Sequence, residues 1–209
     1  MTYKTEQEQF WAGTFGNEYI DRNKDIHYIS SNVALFAKIL NKTRHVQSVI
    51  EFGANIGLNL LAIKQLLPEV ELSAVEINQK AASELKKIVK EATIYNQSIL
   101  EPINKGGHHT NVDLALIKGV LIHINPEELQ SVYEILYNSS KRYICITEYY
   151  NPTPVSILYR GHQDRLFKRD FAGEMLKKYP DLQLVDYGFV YHGDINFPQD
   201  DVNWFLLEK

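Results

Sequence analysis

Apolar residues fall in short runs, separated by stretches where they recur every three or four positions, and no internal repeat is present. That alternation predicts an α/β chain. Strands are expected over residues 46–52, 70–76, 93–97, 112–117, 142–149, 182–191 and 202–207. Between the first two, Gly53 to Asn59 reads as a turn leading into a helix through Leu60, Leu61, Ile63 and Leu66, with Pro68 marking its end. A second helix is expected over 78–91, its charged side (Lys80, Glu84, Lys86, Lys87, Lys90) facing water. A third starts at Asn125-Pro126-Glu127-Glu128, where an amide cap, a first-turn proline and acids suit the positive end of a helix dipole, and runs to about 138. A fourth covers 170–178. Residues 101–111 read as a polar loop and 151–169, with Pro152, Pro154 and Gly161, as irregular.

Strands alternating with helices imply a doubly wound parallel sheet, and the apolar run at 112–117 suits a strand buried on both faces. The last two strands have no helix between them, so they must pair antiparallel or lie apart, and one antiparallel strand is expected. The expected fold is therefore a mostly parallel seven-stranded sheet with one antiparallel strand at the C-terminal end. It fits one domain over 1–209, with 1–30 as an N-terminal helical lid or cap.

Charge and composition narrow the function. With 22 Lys and Arg against 26 Asp and Glu, the net charge is −4, which disfavours a nonspecific nucleic-acid binder. The lone Cys145 excludes an internal disulfide and a paired-cysteine zinc site, and its apolar neighbours make it a small buried hydrophobe. The start of the chain is polar, and no apolar stretch has membrane-spanning length. A cytoplasmic protein with no membrane partner is expected.

In an open α/β sheet, ligands bind beyond the carboxyl ends of the strands, so the first βα turn, Glu51-Phe52-Gly53-Ala54-Asn55-Ile56-Gly57-Leu58-Asn59, is the place for a cofactor. Gly53 and Gly57 permit tight turning and close backbone approach, although a glycine turn without a ligand has the same sequence. Glu76 ends the second strand 23 residues after Gly53, where an acid can accept hydrogen bonds from ribose hydroxyls. An NAD enzyme would share that acid. Glu51, however, would repel a pyrophosphate and suit the amino group of a methionine moiety, and position 55 lacks the glycine of the dinucleotide fingerprint. Both favour S-adenosylmethionine. Trp11, Phe15, Tyr19 and Arg22 recur at helical spacing, either as a packing face or as a lid that brings Tyr19 and Arg22 to the methionine carboxylate.

With these residues in place, Glu-x-Gly-x-Asn-x-Gly, the acid of Ala-Val-Glu-Ile-Asn and the paired terminal strands resemble the class I S-adenosylmethionine-dependent methyltransferases, which implies their Rossmann-like fold. More narrowly, the blocks Phe10-Trp11-Ala12-Gly13 with Phe15-Gly16-Asn17-Glu18-Tyr19, Lys118 to Pro126, Glu148 to Pro152 and Leu166 to Glu174 resemble the methylases associated with pseudaminic acid biosynthesis. The resemblance implies that Glu51, Gly53 and Asn55 line the methionine end, Glu76 and Ile77 the ribose and adenine, Gln97 or Ser98 the adenine edge, and Lys118 the region beneath the sulfonium.

Methyl transfer needs an aligned nucleophile, exclusion of water and, for a hydroxyl or ammonium acceptor, a proton acceptor. Glu148 is the leading base or acceptor-orienting group, with Tyr149, Tyr150 and His123 at the same rim. His123 between Ile122 and Ile124 also fits a packed helix start. His108, His109 and His123 lack an acid or Cys at ligand spacing, so no metal is expected. Arg160, Arg165, Lys168 and Arg169 could clamp an anion, or be solvated beside Asp164 and Asp170. Asp200 and Asp201 either complete the acceptor pocket or form a turn. The expected activity is methyl transfer to a hydroxyl or amino group of a small, anionic acceptor such as an acidic sugar or its precursor. The alternatives are an NAD-type oxidoreductase and a non-catalytic partner in a glycan pathway.

Overall fold

The computed structural model describes residues 3–23, 25, 27–103 and 111–209. Three helices open the chain: α1 (Glu6–Ala12), α2 (Thr14–Arg22) and α3 (His27–Leu40). The alternating part follows as β1 (Ser48–Phe52), α4 (Leu58–Leu66), β2 (Glu71–Val75), α5 (Gln79–Ile88), β3 (Thr93–Tyr95) and β4 (Val112–Lys118). Two 3-10 turns, Leu121–His123 and Pro126–Glu128, lead into α6 (Leu129–Ser139) and β5 (Ser140–Glu148). The chain closes with β6 (Val155–Tyr159), β7 (His162–Lys168), α7 (Phe171–Lys178), β8 (Gln183–Val190) and β9 (Val202–Glu208).

Seven strands form one sheet in the order β3-β2-β1-β4-β5-β9-β8. Pairs within β1 to β5 are parallel, and β9 runs antiparallel to both β5 and β8. The strand order reverses between β1 and β4, so the loops after those strands lead to opposite sides and open a crevice at their carboxyl ends. Apolar clusters cover both faces. One joins Ile50, Ile117, Ile144 and Leu207 to α6 and α7; the other joins Val49, Leu116, Cys145 and Leu206 to α3, α4 and α5. Cys145 is fully buried, and burial pushes its thiol up to about 12. Among the described residues, no helix is long and apolar enough to cross a membrane.

Three local expectations are corrected. Residues 151–169 are not irregular: β6 and β7 pair as a hairpin, with Tyr159 opposite His162. Arg160 (φ 48°) and Gly161 (φ +85°) make its two-residue turn, the positive-φ pair that right-twisted strands require, from a dipeptide that carries only half of the usual Asn-Gly signal. The Trp11 to Arg22 stripe does not lie on one helix, because Gly13 is extended between α1 and α2. The third strand stops at Tyr95 instead of 97, since the Asn96 side chain turns to donate to the Glu76 and Ile77 carbonyls at 2.8 and 3.3 Å.

Candidate functional site

The crevice is a cavity of about 450 Å³ at the carboxyl ends of β1, β2 and β4, roofed by α1, α2 and the β6–β7 hairpin. Its floor is the glycine turn. Gly53 (φ +75°) donates its N–H to the Val75 carbonyl at 2.8 Å, and a Cβ there would stand 2.4 Å from the Val120 side chain. Gly57 (φ +83°) caps α4 against Leu85 in the same left-handed region. Asn55 also has positive φ, 48°, a conformation asparagine tolerates better than most residues, and its N–H points at Glu76. Glu76 accepts from the Asn55 N–H on one oxygen and the Asn78 N–H on the other, both at 2.7 Å. Burial raises its pKa against the pull of those amides.

Glu51 is fully buried beneath the turn. Its Oε1 accepts from Asn59 Nδ2 at 2.6 Å, while Oε2 is buried without a hydrogen-bond partner among the described residues. Burial pushes its carboxyl up to about 8, opposed by Asn59 and the Lys118 charge. Lys118 lines the cavity at the end of β4. Burial lowers its pKa, and Glu51, Asp200 and Glu148 hold it back up.

The roof is tied to the floor by polar contacts. Asn78 caps α5 through Ala81 N–H at 3.0 Å and reaches back to the Trp11 carbonyl at 3.1 Å and Asn17 Oδ1 at 3.0 Å. Ser98 donates to buried Glu8, whose other oxygen takes the Thr5 N–H in a capping box. Gln97 and Ile77 line the cavity beside them, with Gln97 donating to the Glu101 carbonyl at 2.9 Å. Tyr19 lines it too, its hydroxyl pKa raised by burial and then by Tyr159 and Asp200. Arg22 sits at the mouth, over the Phe15 ring at 5.1 Å, and pairs with Glu18 at 3.6 Å.

At the other end of the cavity His123 lies between Trp11 and Tyr159, ring centroids 4.6 and 4.9 Å away. Its Nδ1 meets the Arg165 carbonyl. A carbonyl only accepts, so Nδ1 carries the proton and Nε2 is the ring's acceptor. Burial lowers the imidazole to about 4 and keeps it neutral. Asp200 lines the cavity from the loop before β9, and after burial its charge raises the pKa of the Tyr149 hydroxyl; Arg160 lines the cavity as well.

Seven expected site residues stand outside the cavity wall: Glu51 and Gly57 under the glycine turn, and Glu148, Tyr150, Arg165, Lys168 and Arg169. Glu148 is 2% exposed and lies under the turn, its Oε1 accepting from the Val120 and Leu121 N–H groups at 2.8 Å each. Burial pushes it up to about 7. Tyr150 packs toward Phe205 on the outer surface. The basic cluster does not converge: Arg165 pairs with Glu6 at 3.1 Å, Arg169 with Glu174 at 2.6 Å, and Lys168 lies over the Tyr149 ring at 4.8 Å. Only Arg160 of the four lines the cavity. Among the described residues, no three His, Cys, Asp or Glu side chains stand together as a metal site; His108 and His109 lie outside the described residues.

Several wall residues escaped the sequence pattern. Glu8 and Asn59 carry no motif of their own, and Tyr159 sat in the segment read as irregular. Asn78 had a legible signal as a helix cap, but not its reach to α1 and α2.

No protein-family model matches the chain, and no curated protein matches it in sequence. Solved structures do. The magnesium protoporphyrin IX methyltransferase ChlM from Synechocystis PCC 6803, with bound S-adenosylhomocysteine, is 13% identical, covers 97% of each chain and has a TM-score of 0.67. The plantazolicin methyltransferase BpumL, in complex with a pentazolic desmethylPZN analogue and S-adenosylhomocysteine, is 14% identical over 97% of this chain and 94% of its own, with a TM-score of 0.64. An S-adenosylmethionine-dependent methyltransferase from Clostridium acetobutylicum is 12% identical over 93% and 97%, with a TM-score of 0.63. The fold is that of the class I methyltransferases. Within the class I fold, the glycine turn, the β2 acid and the antiparallel β9 stand where the sequence placed them.

Proposed function

We propose that the chain is an S-adenosylmethionine-dependent methyltransferase acting on a small polar acceptor. The observation that carries this is the buried Oε2 of Glu51, without a partner among the described residues and beside the glycine turn. An orphaned carboxylate oxygen there suits an ammonium, as on a methionine moiety, and opposes a pyrophosphate. Glu76 retains acceptor capacity for two ribose hydroxyls beyond its two amide bonds. The solved structures of ChlM and BpumL that share the fold hold S-adenosylhomocysteine, which agrees with the fit.

When bound, S-adenosylmethionine supplies a methyl group on a positively charged sulfur. Glu51 and Asn59 would hold the amino end, Glu76 and Asn55 the ribose, and Ile77, Gln97 and Ser98 the base. Lys118, below the reacting centre, keeps Glu51, Glu148 and Asp200 from presenting a dense negative charge. Trp11, Tyr19 and Tyr159 exclude water. His123 Nε2 takes the proton from an acceptor hydroxyl as the oxygen gains the methyl group and becomes acidic, its tautomer fixed by the Arg165 carbonyl. Asp200 with Tyr149 orients the acceptor, and Arg160 is placed for one carboxylate, so an acidic sugar or its precursor is the acceptor class to screen first. Glu148 acts as a positioning residue through the Val120 and Leu121 amides. A cytoplasmic location goes with this reading.

Calorimetric titration of ligand-free protein with S-adenosylhomocysteine and, separately, NAD tests it. One S-adenosylhomocysteine per chain and no NAD is the expected result. Binding of NAD alone, or of neither by folded protein, would overturn the proposal.

A further inference from the structure

Lys118 ends β4 and lines the cavity, yet its ammonium makes no hydrogen bond and no ion pair with any described residue. The strand register fixes where it points. Glu51 on β1 lies beside Leu116 on β4, and alternate residues of a strand share a face, so Lys118, two positions beyond Leu116, rises on the same face of the sheet as Glu51. Strand spacing and rise put their Cα atoms about 8 Å apart. Helix α4 covers that face through Leu60 and Ile63 and carries Asn59, which lines the cavity. The Asn59 Nδ2 is spent on Glu51, while its Oδ1, like Glu51 Oε2 beneath it, is buried without a partner among the described residues. Glu51 and Lys118 feel one another, each charge opposing the effect of burial on the other, but they form no ion pair.

A lysine near an acid in a poorly hydrated site ordinarily closes on it, because donors left unpaired there cost free energy. Here the two stay apart, with two orphaned acceptor oxygens on one side and a cation on the other. That arrangement is the complement of an α-amino acid zwitterion: an ammonium donates to Asn59 Oδ1 and Glu51 Oε2, and a carboxylate accepts from Lys118 Nζ. A simple amine or a lone anion would satisfy only one half. Arg22, which helical spacing suggested for that carboxylate, is engaged elsewhere, with Glu18 at 3.6 Å and over the Phe15 ring at 5.1 Å. We propose that Lys118 binds the carboxylate at the amino-acid end of the cofactor, opposite an ammonium site made by Asn59 and Glu51. The assignment rests on the cofactor reading and gives Lys118 a ligand group to hold in addition to balancing its acid neighbours.

Calorimetry on ligand-free protein would compare S-adenosylhomocysteine with its decarboxylated analogue, in which hydrogen replaces the carboxylate and the amine is kept. The wild type should bind the analogue at least about tenfold more weakly, the loss of one charge-assisted hydrogen bond. Lys118→Met, which keeps the apolar stem, should weaken S-adenosylhomocysteine by a similar factor and bind the analogue no more than about twofold more weakly than the wild type does. A lysine that served only the packing of the site would weaken both ligands alike. Arg22→Ala should keep the wild-type preference. The wild-type comparison needs no variant, and Lys118→Gln repeats the other arm should Lys118→Met not fold. Equal affinity of the wild type for the two ligands, a parallel change or no change of both in the Lys118 variant, or loss of the preference in Arg22→Ala instead would overturn the assignment and leave the cofactor reading standing. Failure of the folded wild type to bind either ligand would overturn both.

Discussion

Glu51 is held in a fully buried position with one oxygen on Asn59 and the other unpartnered among the described residues, an arrangement that costs stability whenever the carboxyl is ionised. Its pKa rises from the ordinary value of 4.5 to about 8 because of that burial. A carboxyl raised on folding means the folded chain binds more protons than the unfolded one. Its contribution is therefore fullest below about 4.5 and is lost as pH climbs through about 8. Glu51→Gln should accordingly gain on the wild type in melting temperature as pH rises from 5 to 9, by about 2–4 °C for each kcal/mol relieved in a chain of this length. The same variant should bind S-adenosylhomocysteine at least about tenfold more weakly, the loss expected when a charge-assisted hydrogen bond of about 1.5–3 kcal/mol disappears. A variant with unchanged affinity would remove Glu51 from the binding site. His123 presents the opposite case, a buried base kept neutral, its pKa near 4. His123→Gln should lower kcat by about 10²–10⁴ while leaving the S-adenosylhomocysteine affinity within about twofold. Above pH 5 the wild-type rate should show no titration assignable to this residue.

At the level of elements, the roof is two short helices and a hairpin rather than one long lid helix. Neither α1, seven residues long, nor α2, nine, is long enough to be stable alone. They are held by contacts to the sheet: Asn78 to Trp11 and Asn17, Ser98 to Glu8, and the Asp164 carbonyl on β7 accepting from Gln7 at 3.1 Å. Asn78 is the junction, since it also caps α5. Asn78→Ala should cost about 1 kcal/mol for the lost cap and about 0.5–1.5 kcal/mol for each lost roof bond. The readouts are a lower melting temperature and faster protease cleavage near α1 and α2, both reversed in part by saturating S-adenosylhomocysteine. Cleavage at the wild-type rate would show that Asn78 does not hold the roof. Elements were legible where the signal is local, as in the amphipathic helices, the apolar β4 and the Pro126 start. The hairpin was not, because its turn depends on Arg160 in a left-handed conformation that the residue type does not announce.

Across the whole molecule, the sheet order explains why residues so far apart in sequence share one cavity. β1, β2 and β4 are parallel, so Gly53, Glu76 and Lys118 emerge on one rim although they belong to three strands, and the strand order reverses between β1 and β4 to open the crevice there. Two apolar layers lock that rim in place, with β1 and β4 buried from both sides. The two antiparallel strands at the end extend the sheet without a crossover and leave β8 as an edge whose aromatic face has only one side of the molecule beneath it.

What the sequence by itself determined is local and periodic: the seven strands, the single antiparallel member among them, the positive-φ glycines of the first turn and the acid at the end of β2. These follow from side-chain spacing and backbone sterics within a few residues, which are present before the chain folds. The tertiary structure alone decided which polar groups face the cavity. Glu148 ends its strand as expected, yet packing turns its carboxylate under the floor to meet two backbone amides. Arg165 is drawn away by Glu6, 159 positions distant, and Arg169 by Glu174, while Asp200 is carried in by a loop. Burial and charge pairing act through space, so residue type and spacing could nominate those side chains but not aim them.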